Sequence, residues 1–167
     1  QVVCFTRFVG NLSIYAFDGF CKMCLCYWCI SFKRNHVFLK SLEIYGFKSF
    51  ADRTRIVFAD GITALLGPNG CGKSNVVDAI KWVLAENKSK NLRAESMEDV
   101  IFNGTEARPA LSLAEVSLTI ANENGLLPLE DSEIVIKRRL YRNGENQYFI
   151  NDRQVGATNI RKLFMDT

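Results

Sequence analysis

Residues 67–74 read GPNGCGKS and fit G-x-x-x-x-G-K-[ST] at every fixed position. No other feature constrains the chain as strongly, because the pattern works only between an apolar strand and an amphipathic helix. The sequence provides both. Ile62–Leu66 (ITALL) is a continuous apolar run ending at Gly67, the pattern of a buried central strand. Ser74–Glu86 sets Val76, Val77, Ile80, Val83 and Leu84 at helical spacing. Such a loop turns backbone N–H groups inward on phosphate oxygens, and Gly67, Gly70 and Gly72 permit the close approach. The helix starting near Gly72 aims its positive end at the same point. Lys73 is expected to reach the β- and γ-phosphates of a nucleotide, and the Ser74 hydroxyl to ligate Mg²⁺. Cys71 fills a variable position, where its thiol would leave the loop sensitive to alkylation.

Hydrolysis needs more than this loop. A second carboxylate, normally at the end of another apolar strand, helps hold the metal and polarise water. No later segment has four apolar residues followed by Asp-Glu. Asp99 and Asp152 lie beside apolar runs in the wrong sense, and Asp78 reads as a solvated helix residue.

The chain divides at about residue 37. Residues 1–36 contain five of the six cysteines, namely Cys4, Cys21, Cys24, Cys26 and Cys29, and no sustained period. Three readings compete there. Cys21, Cys24, Cys26 and Cys29 form C-x2-C-x-C-x2-C, but Leu25 alone separates the pairs, too little to bring four thiolates round one ion. A membrane segment is opposed by Asp18 and Lys22, and the run Met23–Phe32 is short against a bilayer of about 30 Å. Lys33 and Arg34 follow the apolar run, where a signal peptide would place its charges first. The favoured reading is upstream sequence read through in frame, with translation starting at Val37 and residues 1–36 outside the fold. The net charge of +3 falls entirely in this segment; residues 37–167 balance 17 basic against 17 acidic side chains. Nucleic-acid contact by the body therefore requires a local patch.

Strands are expected at Leu39–Phe47, Arg55–Phe58, Ile62–Leu66, Val100–Phe102, Ala114–Ala121 and Glu133–Tyr141. Asn143-Gly144 signals a hairpin returning through Gln147–Ile150. A short helix is expected at Thr158–Phe164. The fold class is α/β with α+β character, a P-loop NTPase domain.

Four stretches carry a family resemblance: FLKSLEIYGFKSF at Phe38–Phe50, GPNGCGKSNVVDAIKWVL at Gly67–Leu84, LRAESMEDVIFNGTE at Leu92–Glu106, and LFMDT at Leu163–Thr167. Together they resemble the N-terminal head segment of bacterial SMC chromosome-condensation ATPases, over essentially all of 37–167 and none of 1–36. The resemblance implies the N-terminal half of an ABC-type ATPase head, binding ATP and Mg²⁺. It places Pro68, Asn69, Gly70, Cys71, Gly72, Lys73, Ser74 and Asn75 on the nucleotide, with Ser74 on the metal. It brings Lys48 and Ser49 near the ribose and phosphates, and makes Arg93 a basic residue that supports hydrolysis beside Lys73. The Walker B acid and signature motif are implied in a C-terminal segment outside these residues, beyond a long coiled coil and hinge. Further implications are a second SMC head as homodimer partner, a kleisin with accessory subunits, and a cytoplasmic, nucleoid-associated location without membrane contact. DNA is a partner by resemblance, yet Ser96, Gly156 and Thr158 stand where some relatives are basic. Lys137, Arg138, Arg139 and Arg142 form another basic cluster, of which alternate residues face opposite ways on a strand. Lys88 and Lys90 read as a solvated loop. Head segments of RecN- or RecF-type DNA-repair ATPases are the alternative in the same superfamily. A membrane- or metal-associated module built on 1–36 is the alternative of a different class.

Overall fold

Alternation of apolar and polar residues in the longest strands fixes a sheet with one dry face. The computed structural model describes residues 2–5, 14–17, 38–59, 63–122, 125 and 127–165, with only the backbone course at 2–5, 14–17 and 165. Strands β1 (Val2–Phe5), β2 (Ile14–Phe17), β3 (Phe38–Tyr45), β4 (Thr54–Val57) and β5 (Thr63–Leu66) precede helix α1 (Lys73–Val83). Strands β6 (Leu113–Ala121), β7 (Glu133–Tyr141), β8 (Asn146–Ile150) and β9 (Arg153–Val155) and helix α2 (Ala157–Met165) follow it. Six strands form one antiparallel sheet in the order β4–β3–β6–β7–β8–β9. Leu42 and Ile44 of β3, Val116, Leu118 and Ile120 of β6, and Ile134 and Ile136 of β7 are buried on one face. The other face pairs charges: Glu115 accepts from Arg53 at 3.2 Å and from Arg139 at 2.5 Å.

Helix α1 lies against the dry face. Val76, Ala79, Ile80 and Val83 recur at the i, i+3, i+4, i+7 spacing of one helical stripe, and all are buried. Trp82 is fully buried too, its ring centroid 5.3 Å from that of Phe47. The helix stops at Val83 rather than Glu86, because Ala85 takes the left-handed region at φ 66°. Gly46 ends β3 at φ 63°, and a Cβ there would stand 2.2 Å from the Leu113 carbonyl oxygen, so backbone proximity dictates glycine.

Several expectations need correcting. Val100–Phe102 is not a strand: Glu98–Val100 is a 3-10 turn, and only Ile101 bridges, to Phe47. The strand before the phosphate loop is not buried throughout. β5 alternates, and Leu66 is 73% exposed. β5 belongs to a separate three-stranded sheet in the order β2–β1–β5, with Val2 opposite Leu66. β1 and β2 come from residues 1–36, and at these residues the backbone runs beside β5. Val37, the Cys21–Cys29 cluster and the Met23–Phe32 run lie outside the described residues. Among the described residues, no helix is long and apolar enough to cross a membrane.

Candidate nucleotide-binding site

The loop after β5 is built for close approach from outside. Gly70 and Gly72 sit at φ 85° and 89°, a region that side chains with a Cβ avoid. A Cβ on Gly72 would come within 3.0 Å of Ser49 Oγ, so glycine also lets the 47–50 turn pack beneath the loop. Gly72 caps α1 with no side-chain hydrogen bond, and the first turn holds no acidic residue. The leading N–H groups of α1 thus meet no capping side chain, and the positive end of the helix dipole points outward. This is the arrangement that receives an anion.

Lys73 opens the helix and is nearly buried. Its Nζ donates to the carbonyl oxygens of Gly67 and Pro68, both at 2.6 Å, and to Cys71 Sγ at 3.5 Å. The ammonium therefore rests across its own loop, where a phosphate can exchange with neutral carbonyls. Cys71 is exposed. Its thiol lines the loop beside Lys73, so alkylation with N-ethylmaleimide is expected to lower nucleotide affinity at least about tenfold, since an added imide crowds a close-packed cradle. Prior saturation with nucleotide should slow labelling, read by intact-mass spectrometry; equal labelling rates with and without nucleotide would count against this geometry.

Asn75 Nδ2 donates to Ser49 Oγ at 2.8 Å, which ties the 47–50 turn to the first turn of α1. Lys48 and Arg93 lie one turn further along. Both close on Asp78, Lys48 Nζ at 2.5 Å and Arg93 Nη2 at 2.5 Å. Asp78 is 3% exposed, which overturns its reading as a solvated helix residue. Helical spacing alone puts it on the same side as Asn75, and that proximity was the available signal. Arg93 itself sits at φ 52°, a left-handed backbone that costs a non-glycine residue roughly 1–2 kcal/mol.

The other carboxylates considered for catalysis are occupied locally. Asp99 accepts from the Ser96 N–H at 2.6 Å, and that bond, together with the Ser96 hydroxyl, holds its carboxyl below the usual range. Asp152 accepts from Lys137 Nζ at 2.8 Å, which likewise lowers its pKa. Among the described residues, no group of three or more His, Cys, Asp or Glu is placed to hold a metal ion.

The basic cluster on β7 divides as strand geometry requires. Lys137 pairs with Asp152, and Arg139 with Glu115, whose hydrogen bond raises the arginine pKa. Arg138 points the other way and is fully buried. Its guanidinium stacks 4.6 Å from the Trp82 ring and 4.7 Å from that of Tyr148. It donates to the Trp82 and Glu86 carbonyl oxygens at 2.8 Å each, and to Asn146 Oδ1 and Asn87 Oδ1. Arg142 donates to the carbonyls of Leu111 and Phe102. All four cations have internal partners, which removes the basis for reading them as one open patch. Ser96, Gly156 and Thr158 are exposed and uncharged.

Strand, glycine loop and uncapped helix define a P-loop nucleotide-binding fold, here with α+β topology. The family model for the RecF/RecN/SMC N-terminal domain matches residues 38–167, and the chain belongs to that family. It is 56% identical over 131 residues to the chromosome partition protein Smc of Clostridium kluyveri, covering 78% of this chain and 11% of that protein. A solved structure from work on ATP-driven dimerization and DNA-stimulated activation of SMC ATPases superposes with a TM-score of 0.73 at 36% identity. It covers 75% of this chain and 76% of that one. The Smc head of Pyrococcus furiosus, bound to the C-terminal domain of ScpA, gives 0.71 at 35% identity, covering 76% of this chain and 32% of that one. The chain is the N-terminal part of an SMC-type, ABC-class ATPase head, and spans about a tenth of the curated relatives it matches.

Proposed function

We propose that residues 38–167 bind ATP with Mg²⁺ as one half of the head of a chromosome-partition ATPase, and that hydrolysis requires the other half. The observation that carries this reading is the uncapped N-terminus of α1, with Gly70 and Gly72 at positive φ and the Lys73 ammonium laid over neutral carbonyls. Pro68 to Asn75 would enclose the phosphates, with Lys48, Ser49 and Arg93 beside them. Ser74 Oγ, with nucleotide oxygens and water, fits Mg²⁺, a hard cation that keeps several waters and needs no protein cage. The metal would draw charge from the phosphates; Lys73 and the helix N–H groups would orient them.

Asp78, Asp99 and Asp152 are each held by a local partner. In this reading the water-polarising acid and the signature motif come from another segment of a longer chain and from a second head. A kleisin and accessory subunits, DNA, and a cytoplasmic nucleoid location fit the same assembly. Isothermal titration of the chain with MgATP should show one site, while phosphate release stays at the buffer background. Adding a C-terminal head half should restore turnover. Robust hydrolysis by the chain alone, lost in Lys73→Ala, would refute the missing-half account.

A further inference from the structure

Asp78 is a buried carboxylate for which the phosphate chemistry described above has no use. So deep a carboxylate needs matched positive charge. Lys48 supplies it: its side chain is 13% exposed, its Nζ lies 2.5 Å from Asp78 Oδ2, and it also donates to the Leu92 carbonyl. That pair is already neutral. Arg93 is surplus charge, with its side chain 53% exposed at the edge of the pair.

The surplus cation is held in one orientation. Nε at 3.2 Å and Nη2 at 2.5 Å both reach the same oxygen of Asp78. A guanidinium has five N–H groups in a rigid fork, so binding along one edge leaves the outer donors for another acceptor. The backbone of Arg93 closes the 3-10 turn Ser89–Leu92 in the left-handed region, with the cap N–H groups bonded to the Lys90 and Ser89 carbonyls, which fixes where the side chain starts. The position is next to the loop. Asn75, three residues before Asp78, carries Ser49, and Ser49 follows Lys48. The two bonded pairs are one helical turn apart, about 5 Å along the axis.

We infer that Asp78 is a positioning residue: it seats Arg93 with its outer donors free beside the phosphate loop, so that the guanidinium meets a nucleotide phosphate already oriented. The inference rests on the nucleotide reading given above. It assigns the buried pair of Lys48 and Asp78 the task of a fixed seat, and Arg93 that of the contact.

The test is a double-mutant cycle in MgATP affinity, measured by calorimetry on the 167-residue chain. Arg93→Ala and Asp78→Asn should each weaken binding about tenfold, and the double variant no more than Arg93→Ala alone. Additive losses would mean that the carboxylate acts on the fold rather than through Arg93. Tighter binding by Asp78→Asn would mean that it competes with phosphate. Either result overturns the inference. Arg93→Lys guards against a misfolded Asp78 variant, since it leaves the buried pair intact. It retains charge but not the fork, so it should bind nearly as weakly as Arg93→Ala; affinity like that of the unaltered chain overturns the proposal. Lys73→Ala separates the two claims. If it leaves MgATP binding intact, the nucleotide reading fails; if it removes binding while Arg93→Lys has no effect, only the role of Asp78 fails.

Discussion

Lys73→Ala lowers MgATP affinity about 100-fold, the largest functional effect expected of a single substitution in this chain. The magnitude follows from the partners that Nζ exchanges. In the free loop it lies 2.6 Å from two neutral carbonyl oxygens. A polyphosphate offers ionised acceptors instead, and a hydrogen bond to a charged group contributes roughly 1.5–3 kcal/mol. At about 1.4 kcal/mol per factor of ten, the upper part of that range corresponds to two decades. Alanine also removes the tie between the start of α1 and the beginning of the loop. Thermal shift gives an independent reading. A ligand at 100 times its dissociation constant stabilises by about 2.7 kcal/mol, and the variant should lose most of that shift. Affinity within threefold of the unaltered chain would remove Lys73 from the phosphate site.

The second large effect is on stability. Arg138→Met should cost about 3–4 kcal/mol and lower the melting temperature by roughly 10 °C. Burial pushes the Arg138 pKa down to about 10, so the charge is itself expensive where it stands. Two aromatic faces and four oxygen acceptors offset that cost. Methionine fills part of the space but leaves the Glu86 carbonyl without its arginine donor and the Trp82 carbonyl with the Ala85 N–H alone. Losing a hydrogen bond to a charged group costs about 1.5–3 kcal/mol, reduced where water enters. Arg138→Lys should recover only a minority of the loss, because one ammonium cannot reach both ends of the network. Differential scanning calorimetry decides the matter, and a melting point for the methionine variant within 2 °C of the original would reject the account (about 0.5 kcal/mol at this size).

The phosphate loop was legible because its chemistry demands fixed residue types at fixed spacing, and the same is true of the long alternating strands β6 and β7. Other elements were not, for identifiable reasons. Strand β9 follows a tight turn at Asn151 and Asp152, both at positive φ, where the sequence lacks the glycine that marked residues 143–144. The Val100–Phe102 run is apolar because its side chains are buried, and its backbone bonds to residues 46–48 over too short a pairing to make a strand. Asp78 looked solvated because a lone acid on a helix usually is. Lys48 and Arg93, 30 and 15 residues away in sequence, bury it, and no local pattern reports such distant partners. Strand alternation told Arg138 apart from its neighbours but not what it meets, because the Trp82 ring and carbonyl that receive its guanidinium lie 56 residues away.

Helix α1 is unequally finished at its two ends. Arg138 and Arg161 both donate to carbonyls at its C-terminal end, whereas no side chain caps its first turn. The first turn is held instead by contacts to its own surroundings: Lys73 reaches back to the carbonyls of Gly67 and Pro68, and Asn75 to Ser49. An anion that drew Lys73 off those carbonyls would loosen the tie that seats this helix end, so binding there and the ordering of the first turn would share one set of contacts.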